Sequence, residues 1–376
     1  MSEIRVGETP KLGFGFMRLP RCEGSDAYDM DQILKMVDAF MAAGLTYFDT
    51  AYVYDGGRSE KALREALVER YPRESYTVAT KLASSAKAAP TPEAARRELL
   101  TSLERLGCGY IDYYLMHAVQ AANIKKINDF GLWDYILEQK EKGLIRHVGF
   151  SFHDTPEMLD ELLTLHPEME FVQLQLNYAD WEAPNVQSRG VYEVARRHGK
   201  PIIVMEPVKG GMLANPPAGI RDVFAAADPA ASPASWAIRY AASLDGVLTV
   251  LSGMTTLAQV EDNVSYMRNF RPLSKEEQDV IRTAQELIAA QDSIPCTGCR
   301  YCVDGCPMSI PIPDIFSASN RETIYGDQAG AARIYARETD GAGKASDCIH
   351  CLQCEAICPQ HLPITELLEK AAARYE

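Results

Sequence analysis

Short apolar or β-branched runs alternate with segments of helical period from Lys11 to Tyr266, and few architectures accept that pattern. The predicted strands are Lys11–Met17, Leu45–Asp49, Tyr76–Thr80, Tyr110–Met116, Ile145–Phe150, Phe171–Leu176, Pro201–Met205 and Gly246–Leu251. The predicted helices between and after them are Asp31–Ala43, Ser59–Arg70, Thr91–Leu106, Leu132–Lys142, Pro156–Leu165, Val186–His198, Pro233–Ser243 and Leu257–Tyr266. Gly44, Gly107 and Gly143 stand where helices should stop, and Pro92 sits in a first turn. Eight such units, with strands apolar on both faces, predict a closed parallel (β/α)8 barrel. An open doubly wound sheet is the other arrangement, but the G-x-G-x-x-G turn expected after its first strand is absent.

In a barrel of this kind the C-terminal ends of the strands share one face, so residues distant in the chain meet there. Thr46–Tyr54 begins apolar and turns polar at Asp49, with Tyr54 one short loop later. The third predicted strand runs on to Lys81 and the fourth ends at His117. Taken singly, each has an ordinary explanation in a helix cap, a salt bridge, a core phenol or a buried histidine. Together they suit carbonyl chemistry. A carbonyl that accepts hydride needs a proton on its oxygen, and a tyrosine near pKa 10 donates poorly unless its anion is stabilised. An ammonium from Lys81 would stabilise it, Asp49 would keep Lys81 charged, and His117 could orient the substrate oxygen.

Asp49-x4-Tyr54, Lys81 in Ala-Thr-Lys and His117 in Tyr-Leu-Met-His resemble the aldo-keto reductase family across roughly residues 11–268. The resemblance implies an oxidoreductase that reduces an aldehyde or ketone, or oxidises an alcohol, with NADP(H) or NAD(H). It implies cofactor contacts at Met17, Ser151, Gln173, Met205 and Gly211, and at Ser252, Gly253, Met254, Asp262 and Asn263 in and after the loop that follows the last strand. The chain departs from the family pattern in several places. Phe152 replaces an asparagine, and Met205 stands where a stacking aromatic ring is usual. Gly253 and Gln259 stand where NADP-preferring relatives carry lysine and arginine, which leaves NADH open beside NADPH.

The chain has 52 acidic against 38 basic residues, a net charge of −14 spread along its length. That argues against nucleic acid or an anionic membrane as a partner. No apolar run approaches the ~18 residues of a membrane span and Met1–Pro10 carries no signal-peptide pattern, so the expectation is a cytoplasmic protein.

Eight of the ten cysteines fall after residue 290 in two runs, Cys296-x2-Cys299-x2-Cys302-x3-Cys306-Pro307 and Cys348-x2-Cys351-x2-Cys354-x3-Cys358-Pro359. Such clustering is a metal signature, not a disulfide framework. Each run resembles those of bacterial ferredoxins, which implies two [4Fe–4S] clusters with fourth ligands exchanged between runs. One would use Cys296, Cys299, Cys302 and Cys358, the other Cys348, Cys351, Cys354 and Cys306. Paired zinc sites are the other possibility for such thiols. A long helical stretch, Ile312–Arg337, and a closing helix, Ile364–Tyr375, are similar to the α-helical type of two-cluster ferredoxin domain.

The expected organisation is therefore a barrel over 1–270, a linker helix over 271–292 and a ferredoxin-like domain over 293–376. A small-molecule carbonyl or alcohol substrate and a redox partner protein are the expected partners. Hydride moves two electrons and each cluster one, so a flavin would be the usual converter, and no flavin motif is legible. Two further readings stay open, a barrel that binds nucleotide or ligand as a sensor beside an electron-transfer module, and clusters that are purely structural.

Overall fold

The computed structural model describes residues 4, 7–83, 89–183, 186–290, 293–325 and 327–376. Eight parallel strands close in chain order into a barrel. They are β1 (Leu12–Gly15), β2 (Tyr47–Asp49), β3 (Thr77–Leu82), β4 (Ile111–Val119), β5 (Ile145–Phe152), β6 (Phe171–Gln175), β7 (Ile202–Met205) and β8 (Val247–Ser252). The residues group into two compact units. The first is Met1–Asn177, Gln187–Pro207 and Ala237–Leu273, and the second is Tyr178–Val186, Val208–Trp236 and Ser274–Glu376. The stretches 178–186 and 208–236 thus group with the cysteine-bearing segment, although the strand–helix pattern counts them with the barrel.

Period-two alternation sorts the barrel side chains. Tyr47, Ala79, Tyr113, Leu115, Phe171, Ile203, Leu248 and Leu251 pack together as one buried cluster. Two residues on from Tyr47, Ala79 and Leu115 come Asp49, Lys81 and His117, so an apolar layer is followed by a polar one on the same side of each strand. Phe48, of the opposite parity, packs with Phe14 and with Phe40 of the Met30–Ala42 helix. Close strand approach has its own requirement at Gly149, where an added Cβ would lie 2.4 Å from the Phe171 carbonyl oxygen.

In the second unit, the Lys275–Ala289 helix begins at a reciprocal cap between Ser274 and Glu277 and packs on the Ala218–Ala227 helix. Phe224 of the latter stacks on Trp236 at 5.2 Å. The helical stretch expected over Ile312–Arg337 consists of two helices, Ile312–Tyr325 and Gln328–Glu338. Asp327 accounts for the second start, since its carboxylate accepts the Gly330 N–H at 2.8 Å as an N-cap. With the Ile364–Tyr375 helix they enclose a core of Ile310, Ile312, Ile315, Phe316, Leu362 and Leu368, together with Cys302, Cys354 and Cys358.

Candidate active site and cysteine cavities

Asp49 ends β2, Lys81 lies in β3 and His117 lies in β4, and all three side chains are buried. Lys81 Nζ donates to Asp49 Oδ1 at 2.5 Å, to the Thr50 carbonyl at 2.7 Å and to Tyr54 Oη at 3.4 Å. The three N–H bonds of one ammonium thus tie the carboxylate to the phenol. The Tyr54 ring meets the His117 ring edge-on with centroids 5.6 Å apart.

Burial raises the Asp49 carboxyl pKa and lowers that of Lys81, while each partner's charge works against those shifts. Such a pair stays ionised only because each charge is answered at short range. His117 is driven well below its usual range by burial first and then by the charges of Lys81 and His153, so its imidazole is neutral at physiological pH.

Tyr54 begins a turn whose next three residues, Asp55, Gly56 and Gly57, all have positive φ. Arg105 anchors it from the Pro92–Leu106 helix, donating to the Tyr52 carbonyl at 2.9 Å and to Glu60 Oε2 at 3.0 Å. Gly57 has φ +86, which favours glycine, and an added Cβ there would lie 2.4 Å from the Arg105 guanidinium carbon and displace that side chain. Glu60 is fully buried and accepts from Thr80 at 2.8 Å through its other oxygen. Sequence reasoning missed Arg105 and Glu60, for no spacing or motif sets them apart from surface charges on helices.

Among the expected cofactor contacts, Gln173 is buried with no hydrogen-bond partner for its Oε1, which fits an amide donor from a nicotinamide. Ser151 Oγ accepts the Ala118 N–H at 2.7 Å and keeps its own hydrogen for donation. Ala118 has φ +52 beside the register shift in β4, a local distortion immediately after His117. Met205 is half-buried at the end of β7, Met17 is half-buried after β1, and Gly211 has φ +100 in the second unit.

After β8, Asn263 donates to Ser252 Oγ at 3.0 Å, so this pair is committed to holding the loop on the Leu257–Met267 helix. Gln259 turns back on Thr255, its carbonyl accepting the Thr255 N–H at 2.7 Å. Gly253 is exposed, Met254 is buried and Asp262 is half-buried. A cation absent from the sequence reading lies close by, since an added Cβ at Gly253 would be 4.0 Å from Arg18 Cβ, and Arg18 pairs with Glu206 at 3.4 Å.

In the second unit, Cys296, Cys299, Cys302 and Cys358 line one cavity. Cys306, Cys348, Cys351 and Cys354 line another. Four thiols around an apolar chamber fit an iron–sulfur cube in each, and the Gly298 N–H···Sγ contact to Cys296 at 3.4 Å is of the type that accompanies thiolate ligation. Burial, then the neighbouring thiols, push Cys302 far up, and Cys354 is raised to about 11, mainly by burial. Only bound positive charge would hold these sulfurs as thiolates.

Residues 11–286 match the family model "Aldo/keto reductase family", and residues 295–362 match "4Fe-4S dicluster domain". The chain belongs to the aldo/keto reductase family. Its C-terminal segment is of the iron–sulfur type.

An aldo-keto reductase of Mycolicibacterium vanbaalenii is 30% identical over 263 residues, 68% of this chain and 81% of that protein. Aldo-keto reductase str7 of Strobilurus tenacellus is 28% identical over 220 residues, 56% of this chain. Probable aldo-keto reductase 1 of Glycine max is 30% identical over 183 residues, 46% of this chain. The matches span 62% and 49% of those last two relatives.

The solved aldo-keto reductase AKR11C1 from Bacillus halodurans superposes with TM-score 0.60 at 23% identity, covering 76% of this chain and 96% of that one. An aldo-keto reductase from Klebsiella pneumoniae in complex with NADPH superposes with TM-score 0.58 at 20% identity, over the same shares. These two likenesses are of fold. Among the described residues no helix is long and apolar enough to cross a membrane.

Proposed function

We propose that the barrel carries out NAD(P)H-linked reduction of an aldehyde or ketone, or the reverse alcohol oxidation. We propose also that the C-terminal domain passes single electrons through two [4Fe–4S] clusters to or from a partner protein, in the cytoplasm. The barrel would occupy 1–270, the connecting helix 271–292 and the cluster domain 293–376.

The observation that carries the first part is the Lys81 ammonium bonded to Asp49 and Tyr54 together. When bound, the reduced nicotinamide supplies the hydride. Tyr54 would give its proton to the developing alkoxide, and Lys81 would stabilise the phenolate left behind. The neutral imidazole of His117 would hold the carbonyl oxygen without competing as the acid. Ser151 and Gln173 would hold the carboxamide, so that one ring face points at the substrate. Cys296, Cys299, Cys302 and Cys358 would hold one cluster, and Cys306, Cys348, Cys351 and Cys354 the other.

The test is Tyr54→Phe in protein purified without oxygen, assayed against a panel of carbonyls with NADPH and with NADH. Loss of turnover with retained cofactor binding supports the role, and full carbonyl reduction by the variant removes it.

A further inference from the structure

Next to Asp49, Lys81 and Tyr54 lies a second set of buried charges that the chemistry proposed above does not use. Glu60, from the Arg58–Leu63 helix, pairs at 3.0 Å with Arg105, from the Pro92–Leu106 helix. The Glu60 side chain is fully buried and that of Arg105 is one-fifth exposed, at 20%.

This ion pair reaches the site from two directions. Thr80 precedes Lys81 in β3, with the opposite parity, and its hydroxyl donates to Glu60 Oε1 at 2.8 Å. Arg105 donates to the Tyr52 carbonyl at 2.9 Å, and its guanidinium carbon lies 4.4 Å from the centre of the Tyr52 ring. Tyr52 is also tied to the lysine's own backbone, its N–H donating to the Lys81 carbonyl at 3.3 Å, and Tyr54 follows two residues later. One ion pair therefore grips both the strand that carries the ammonium and the loop that carries the phenol.

A buried ion pair is a weak source of stability, since well-packed apolar side chains of the same volume often serve as well. What it adds is electric field. Lys81 faces Asp49 from β2, Tyr54 from its turn and His117 from β4. Burial draws the ammonium toward its neutral form, and Asp49 first and then Glu60 oppose that. Glu60 in turn is faced by Arg105, by Glu98 of the same helix and by Tyr114 of β4, with Lys126 acting on Glu98.

We propose that Glu60 and Arg105 are positioning residues for the proton donor, fixing Tyr54 against Lys81 and setting, from outside that contact, the field in which the phenol holds its proton. The proposal rests on the reading of Tyr54 as the acid. The two charges act in opposite senses. Glu60 favours the protonated phenol and ammonium, whereas Arg105 offsets Glu60 and secures the loop.

The test uses the full chain purified without oxygen and labelled with 13C at tyrosine Cζ. Nuclear magnetic resonance follows the titration of Tyr54, whose signal is assigned by its loss in Tyr54→Phe. Glu98→Gln is present throughout, because Glu98 itself titrates at about 8 beside Glu60. In that background Glu60→Gln removes a negative charge and is expected to lower the Tyr54 midpoint by roughly half a unit. Arg105→Gln leaves Glu60 unanswered and loosens Tyr52, so the midpoint should rise by at least as much. Glu60→Gln/Arg105→Gln should fall between the two.

A pair that served packing alone would lower the unfolding temperature without opposite displacements. Midpoints that stay in place, or that both single variants move the same way, overturn the proposal. Each single variant decides by the sign of its own shift, so one that fails to fold leaves the other to serve. Should neither fold, Glu60→Asp, which draws the charge back from Thr80, is expected to give a smaller fall, and an unmoved midpoint overturns the proposal there too. Full carbonyl reduction by Tyr54→Phe removes the acid reading itself, a different failure from a Tyr54 midpoint that ignores both charges.

Discussion

The polar end of the barrel and the cysteine domain hold their functional groups by opposite means. Asp49, Lys81 and His117 are 68 residues apart from first to last, yet parallel register carries them to one place, and Lys81 already has its three acceptors. The cysteines sit a few residues apart on loops and one-turn helices, Tyr301–Asp304 and Gln353–Ala356, around two apolar chambers. The first site is built by folding; the second is finished by metal. A preorganised site should tolerate removal of its cofactor, whereas a metal-finished one should not.

Iron removal sets that contrast its hardest test. Anaerobic chelation is expected to melt the C-terminal helices and lose several kcal/mol of stability there, on the order seen when structural metal leaves small domains, while the barrel keeps its transition. Calorimetry and far-ultraviolet circular dichroism report both, and an unchanged C-terminal transition in iron-free protein would contradict the distinction. Next in size is Tyr54→Phe, expected to cut kcat by ~10²–10⁴ with little change in unfolding temperature. A large loss of stability would mean that the phenol is structural.

A smaller effect concerns Glu98, buried near the end of β3 with one oxygen accepting the Ala83 N–H at 2.7 Å and the other unpaired. Burial raises its pKa to about 8, above the ordinary 4.5. A raised carboxyl favours folding fully below pH 4.5, and that contribution fades as pH climbs through about 8. Thermal scans should therefore show wild type losing stability between those limits and Glu98→Gln losing less; parallel curves would exclude the buried acid as the cause. Smallest is Gly253→Lys/Gln259→Arg, expected to shift the ratio of dissociation constants toward NADPH by roughly tenfold. An unchanged ratio would mean that Arg18, or another cation, already serves the phosphate.

The barrel was legible because its information is periodic: alternation at two and at 3.6 residues predicts strands, helices and closure without knowledge of contacts. Asp49, Lys81 and His117 were legible for the same reason, each lying at or near the end of a readable strand. Spacing alone marked the cysteines. What stayed hidden depends on long-range packing. Arg105 looks like any helix-face cation until the Tyr54 turn folds over it, and Gly210 like any loop glycine until Thr297 arrives. The break between the Ile312–Tyr325 and Gln328–Glu338 helices was masked by continuous helical composition, although the Asp327 cap was there to read.

Each cysteine chamber borrows one wall from the other run: Cys358 faces the first and Cys306 the second. The two lobes are consequently interlocked. A protease cut and release of everything after Gly341 would strip the first chamber of Cys358 as well as removing most of the second, so neither half of the segment keeps a full set of four lining thiols by itself.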